Sequence, residues 1–178
     1  MAIRPIVKYP DPVLLRPTRR VAEVTAEIRA LVADMWETMY NAPGVGLAAN
    51  QIGVDLRVAV IDTTSSDEPE MRKLVLINPE VVETSGKLTE EEGCLSVPGF
   101  TEVATRPART TVRALALDGK SFTVEGSGLL SRALMHETDY LDGKVFLDRL
   151  SALKRDLIRR KIRKLEKNGE WPDPHGGR

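Results

Sequence analysis

Ser127-Gly128-Leu129-Leu130-Ser131-Arg132-Ala133-Leu134-Met135-His136-Glu137-Thr138-Asp139-Tyr140-Leu141-Asp142-Gly143 is the stretch around which the chain is organised. It reads as one helix. Ser127 suits the N-cap, Leu130, Leu134 and Leu141 recur at helical spacing on a core-facing side, and Gly143 suits a left-handed stop. His136 and Tyr140 stand one turn apart and project the same way, with Glu137 beside them. In the metallohydrolase pattern His-Glu-x-x-His, two imidazoles hold an ion and the glutamate works on its bound water. Here tyrosine fills the second histidine position. Taken alone, a single histidine on a leucine-rich helix fits a hydrogen-bonded core residue better than a ligand, so the rest of the chain has to decide.

At 178 residues the chain is long enough for one domain with a proper core, expected over 1–168 with a disordered tail at 169–178. Lys+Arg and Asp+Glu balance at 26 each, so net charge predicts neither nucleic-acid nor membrane binding. Aromatics make up 4%, which leaves aliphatic side chains to fill the core. No apolar run reaches membrane-spanning length, and the first twenty residues, broken by four prolines and Asp11, lack a signal or transit pattern. A cytoplasmic protein is expected. The single cysteine, Cys94, excludes an intrachain disulfide. A site of nitrogen and sulfur ligands alone would need Cys94, His136 and His175, and His175 sits in a Pro/Gly-rich tail expected to be solvated.

Upstream of the central helix, Val7, Val13 and Leu15 are expected to pack inward from a proline-rich start. Thr25 caps a helix whose apolar stripe is Ile28, Leu31, Val32, Met35, Met39 and Tyr40. Gly44-Val45-Gly46-Leu47-Ala48-Ala49-Asn50-Gln51 then lets backbone approach something closely and ends on an amide, although alone it reads as a connector. Strands are expected over 56–61, 73–77 and 80–84, with Asn78-Pro79 turning the chain between the last two and a polar loop at 63–70. Glu92-Gly93-Cys94-Leu95-Ser96 places the only thiol in a loop between glycine and polar neighbours. A hairpin at 111–125 turns at Asp118-Gly119 and feeds the central helix. Ser151 caps a last helix running to Asn168, with Leu153, Leu157, Ile158, Ile162 and Leu165 buried. Its eight cations against two anions point to an acidic partner.

Together, the segments Gly44 to Gln51, Glu92 to Ser96 and His136-Glu137-Thr138-Asp139 with Leu141 and Gly143 resemble those of the peptide deformylases, in order and in spacing. The resemblance extends from Ile6 to about Lys167 and is to the bacterial short form. It implies an α+β fold with antiparallel strands in small sheets wrapped around the metal-ligand helix. It also implies removal of the formyl group from the N-terminal methionine of nascent polypeptides. By position the ligands are Cys94, His136 and Tyr140, holding a divalent ion: Fe²⁺ in the cell, replaceable by Ni²⁺, Co²⁺ or Zn²⁺. Glu137 is implied as general acid/base, with the Gln51 amide and the Leu95 N–H stabilising the oxyanion. Val45, Gly46, Leu95, Ala133 and Leu134 are implied to contact substrate. The basic last helix is similar to a ribosome-docking element.

Tyr140 departs from the family pattern. A phenol, with an ordinary pKa of about 10, must lose its proton to bind a metal well, and phenolate in place of imidazole removes the site's residual positive charge. The alternative is therefore an impaired relative that binds formyl-methionyl peptides or ribosomes without efficient turnover. A generic zinc peptidase fits less well, since the helix has no second histidine.

Overall fold

The computed structural model describes residues 2–66 and 72–173. Three helices and seven strands form an α+β fold. The elements are α1 (Ala26–Asn41), β1 (Gly46–Ala48), β2 (Val58–Asp62), β3 (Lys73–Ser85), β4 (Leu88–Cys94), β5 (Val97–Arg106), β6 (Arg109–Leu115), β7 (Ser121–Ser127), α2 (Gly128–Leu141) and α3 (Ala152–Lys167). Five strands build one antiparallel sheet in the order β1-β2-β3-β6-β7, and β4 and β5 form a separate two-stranded sheet. Among the described residues no helix is long and apolar enough to cross a membrane.

The helix α2 lies against the larger sheet. Leu130, Leu134 and Leu141 are buried with Val112, Val124 and Ile61 in one core, as their helical spacing predicts. Ser127 occupies the N-cap and Gly143 takes φ 79°, where a Cβ would meet the Arg16 backbone at 2.5 Å. Only glycine lets the chain leave the helix so close to the N-terminal segment. α1 seals the other side of β1 and β2 through Ile28, Leu31, Val32, Met35 and Met39, with Thr25 accepting from the Ile28 N–H.

Several elements differ from expectation for identifiable reasons. The small-residue segment is an edge strand, β1, followed by a 3-10 turn at Ala49–Ile52, because its backbone pairs with Ala59 to Ile61. Asn78-Pro79 is an irregularity inside one continuous β3 rather than a turn; the Asn78 amide pairs with both backbone groups of Val21 and so anchors it. Cys94 ends β4 instead of lying in a loop. Leu14 takes the buried place expected for Leu15, which is 46% exposed. Tyr40 leaves the α1 stripe to stack on Trp36 and bond Asp62. On α3 only Ile158 and Ile162 are buried, and Leu153 is 71% exposed. Trp171, placed in the tail from the sequence, is buried in the main core; residues 174–178, with His175, and residues 67–71 of the polar loop lie outside the described residues.

Candidate active site

Three elements meet at a cavity of about 610 Å³. Val45 and Gly46 come to it from the start of β1, Cys94 and Leu95 from the turn that ends β4, and Ala133, His136 and Glu137 from α2. Gln51 reaches it from the 3-10 turn after β1. Of the residues expected at the site, Leu134 and Tyr140 do not line the cavity. One residue beyond Ala133 on the helix, Leu134 turns into the sheet core, where it is fully buried. Tyr140 lies behind His136, their ring centroids 5.1 Å apart, and is fully buried. Phe100, Leu129 and Arg132 also line the cavity, although the sequence did not single them out.

Polar contacts fix most of these groups. The Gln51 Oε1 accepts from the Ala48 N–H at 2.9 Å, so its Nε2 turns toward Ser96 Oγ at 3.1 Å and Cys94 Sγ at 3.5 Å. That assignment leaves an amide N–H beside the thiol, where an arriving carbonyl oxygen can take it over. The Ser96 N–H donates to Cys94 Sγ at 3.4 Å. His136 Nδ1 is bonded to Glu92 Oε1 at 2.6 Å, which directs Nε2 away from Glu92 and leaves it 4.0 Å from Glu137 Oε1. A carboxylate on the far nitrogen is how ligating histidines are commonly held.

Glu92 belongs to a buried charge network that sequence reading did not find. Arg106 donates to Glu92 through Nε at 2.9 Å and Nη2 at 2.6 Å, and to Asp139 through Nη1 at 2.7 Å. Arg149 completes Asp139 with bonds of 2.8 and 2.6 Å. The available signal was an arginine on the inward phase of a strand, two residues after buried Ala104. Burial opposes ionisation of Glu92, yet its bonds to Arg106 and His136 outweigh this and hold its pKa at about 2.

Electrostatics at the cavity favour a cation. Burial, then the nearby Glu92, push Glu137 up to about 7 against the pull of His136 and Arg106. Burial acts to lower the His136 pKa, but Cys94, then Glu92 and Glu137, raise it well above 6.5. Tyr140 is raised well above 10, by burial and then by Cys94 and the two glutamates. The Tyr140 hydroxyl and Glu137 Oε2 are buried without a well-formed hydrogen bond. Among the described residues no three of His, Cys, Asp and Glu are grouped to hold a metal. Cys94 and His136 provide two such donors, and the buried Tyr140 hydroxyl, which interacts with Cys94, is the oxygen available as a third. With thiolate sulfur, imidazole nitrogen and phenolate oxygen, this set fits a divalent ion once it has lost its protons.

Comparison with known proteins agrees with this architecture. A family model described as polypeptide deformylase matches residues 3–156. The peptide deformylase of Acidobacterium capsulatum is 55% identical over 171 residues, covering 96% of this chain and 100% of that protein. That of Thermodesulfovibrio yellowstonii is 47% identical, over 92% of this chain and 98% of the relative. The crystal structure of a Legionella pneumophila peptide deformylase superposes with a TM-score of 0.84 at 45% identity, covering 94% of this chain and 98% of that one. An Ehrlichia chaffeensis peptide deformylase in complex with actinonin gives 0.85 at 40% identity, over 94% and 99%. On the strength of the matched family, the shared fold and the near full-length relatives, this chain belongs to the polypeptide deformylase family.

Proposed function

We propose that this protein removes the formyl group from the N-terminal methionine of nascent polypeptides, releasing formate, with Cys94, His136 and Tyr140 as ligands of one divalent ion. The observation that carries the reading is the meeting, in one cavity, of a carboxyl raised to about 7 with the Gln51 amide and the Cys94–His136 pair. In this reading Tyr140 holds the place of the family's second histidine. Fe²⁺ is the cellular ion, with Ni²⁺, Co²⁺ or Zn²⁺ able to replace it. A divalent ion bound there supplies Lewis acidity and lowers the pKa of its bound water.

The protein's own groups do the rest. Glu137, poised near neutrality, takes a proton from the attacking water and returns one to the departing amine as the formyl C–N bond breaks. The Gln51 N–H and the Leu95 backbone N–H stabilise the negative charge that develops on the formyl oxygen. Val45, Gly46, Leu95 and Ala133 hold the methionyl residue, and their apolar walls keep other water out. Gly46 approaches closely because a Cβ there would lie 2.8 Å from Glu137 Oε1. The same reading assigns the basic face of α3 to ribosome docking, supported by its exposed Leu153 and Leu157 among lysines and arginines. It places the protein in the cytoplasm, as a single domain of the bacterial short form.

The test is formate release from a formyl-methionyl peptide by oxygen-free, Ni²⁺-loaded protein, with Tyr140→His alongside. Turnover by the parent, abolished in Glu137→Gln, is the expected result. Turnover by the histidine variant alone would mean that Tyr140 does not serve as a ligand, and turnover by neither would overturn the assignment.

A further inference from the structure

We propose that Trp171 is a positioning residue for this reaction, fastening the outer wall of the substrate cavity and the Cys94 turn to the end of α3. The proposal rests on the assignment of that cavity to the formyl-methionyl substrate. It starts from a residue whose sequence position, beyond the last helix, suggested a solvated tail.

After α3 the chain reverses at Gly169, φ 70°, with the N–H groups of Glu170 and Trp171 returning to the Leu165 carbonyl at 2.8 and 3.2 Å. The reversal carries the indole back under the fold, where it is 9% exposed and makes two separate contacts. Its ring packs on Phe100, with centroids 6.0 Å apart and planes tilted by 49°, a favourable aromatic geometry. Phe100 is one of the walls of the cavity. The Trp171 Nε1–H donates to the Tyr9 carbonyl at 2.7 Å.

Tyr9 connects directly to the chemistry. Its own N–H donates to the Ser96 carbonyl at 2.8 Å, and two residues earlier the Val7 N–H donates to the Gln51 carbonyl at 2.7 Å. Ser96 in turn receives Gln51 Nε2 on its hydroxyl and gives its N–H to Cys94 Sγ. The indole therefore closes a path of hydrogen bonds, Trp171 to Tyr9 to Ser96, that seats the sulfur and the amide. Its ring independently braces Phe100. β5 is buried at Val97 and Ala104 but exposed at Gly99, Thr101 and Val103, so the stretch around Phe100 that forms this wall gains little rigidity from its own burial. An indole is suited to both tasks, since it offers a broad apolar face and one donor.

Two substitutions in the full-length protein separate the contacts. Trp171→Phe keeps a ring for Phe100 and loses the N–H; Trp171→Ala loses both. In oxygen-free, Ni²⁺-loaded protein, Trp171→Ala raises KM for a formyl-methionyl peptide by roughly three- to tenfold, more than it lowers kcat, while Trp171→Phe keeps KM within about twofold of the parent. In metal-free protein, iodoacetamide alkylates Cys94 about three- to tenfold faster in both variants, the change expected for losing one hydrogen bond. Alkylation needs no turnover, so a parent without activity overturns the deformylase assignment while leaving this arm decisive. An unchanged KM in folded Trp171→Ala, or alkylation rates within about twofold of the parent in both variants, overturns the proposal. Should the alanine variant not fold, Trp36→Phe leaves Trp171 as the sole indole; a methionyl peptide then shifts its emission, and no shift on saturation overturns the proposal.

Discussion

Replacing Arg106 with methionine removes the side chain that, among the described residues, bonds Glu92 and Asp139 together. Arg106 is 1% exposed, and its two carboxylate partners are 8% and 6% exposed, so water does not fill the gap easily. Asp139 keeps Arg149 at 2.6 Å, and the loss falls mainly on Glu92, which is left with His136 alone. An uncompensated buried carboxylate costs about 3–5 kcal/mol. The pKa of Glu92 leads to a similar figure, because a drop from 4.5 to about 2 corresponds to roughly 3 kcal/mol. For a chain of this size each kcal/mol lowers the melting temperature by about 2–4 °C, so a fall of roughly 6–20 °C is expected. The sign with pH is fixed. A carboxylate with a depressed pKa stabilises above its unfolded value of 4.5, and this contribution disappears as pH falls toward about 2. The parent's advantage over Arg106→Met therefore shrinks across that interval. Thermal and urea unfolding of metal-free protein at pH 7 and pH 3 measure it. Adding Glu92→Gln to Arg106→Met should recover part of the loss, since no charge is then stranded. A single-variant penalty below about 1 kcal/mol, or a double variant as unstable as the sum of the singles, refutes the reasoning.

Three further outcomes follow from the cavity. Gly46→Ala forces Glu137 aside, since the new Cβ would lie 2.8 Å from Oε1; a displacement approaching 1 Å lowers kcat by up to about a hundredfold, measured as formate release. Glu137→Gln abolishes turnover yet stabilises metal-free protein at pH 8 by on the order of 3 kcal/mol. A carboxyl raised to about 7 destabilises as pH climbs past its unfolded 4.5, so the gain vanishes at pH 4 in urea titrations. Tyr140→Phe deletes the buried hydroxyl that interacts with Cys94. Its Ni²⁺ affinity falls, as titration with a competing chelator reads out.

The central helix was legible because its signals agree: apolar spacing, a capping serine, a terminal glycine and a one-turn His–Tyr pair all specify the same element. α1 was legible for the same reason. The β4–β5 hairpin was not, because Leu88 to Cys94 is almost wholly polar and owes its strand form to pairing with β5 and not to a buried face. Leu134 was placed one residue off the cavity, since a helical face resolves position only to within a third of a turn or so. The exposed Leu153 and Leu157 followed the correct period, but α3 packs through too narrow a stripe to cover them. Arg106 and Trp171 went unread for a common reason. Each acts through a partner far away in the chain, and no local pattern encodes such a partner.

The sulfur and the imidazole stand on different elements. Cys94 stands on a two-stranded ribbon that is not hydrogen-bonded into the main sheet, whereas His136 and Glu137 ride on a helix embedded in the core. β4 is mostly exposed apart from the buried Glu92 side chain, and the Arg106 network that holds it is a principal fastening between ribbon and helix. The ribbon can therefore lift away at a lower free energy than the whole molecule unfolds. On warming or in mild urea, amide exchange should quicken along residues 88–94 while α2 remains protected. The catalytic constellation then dissolves before the fold does, and loss of activity precedes loss of helical signal.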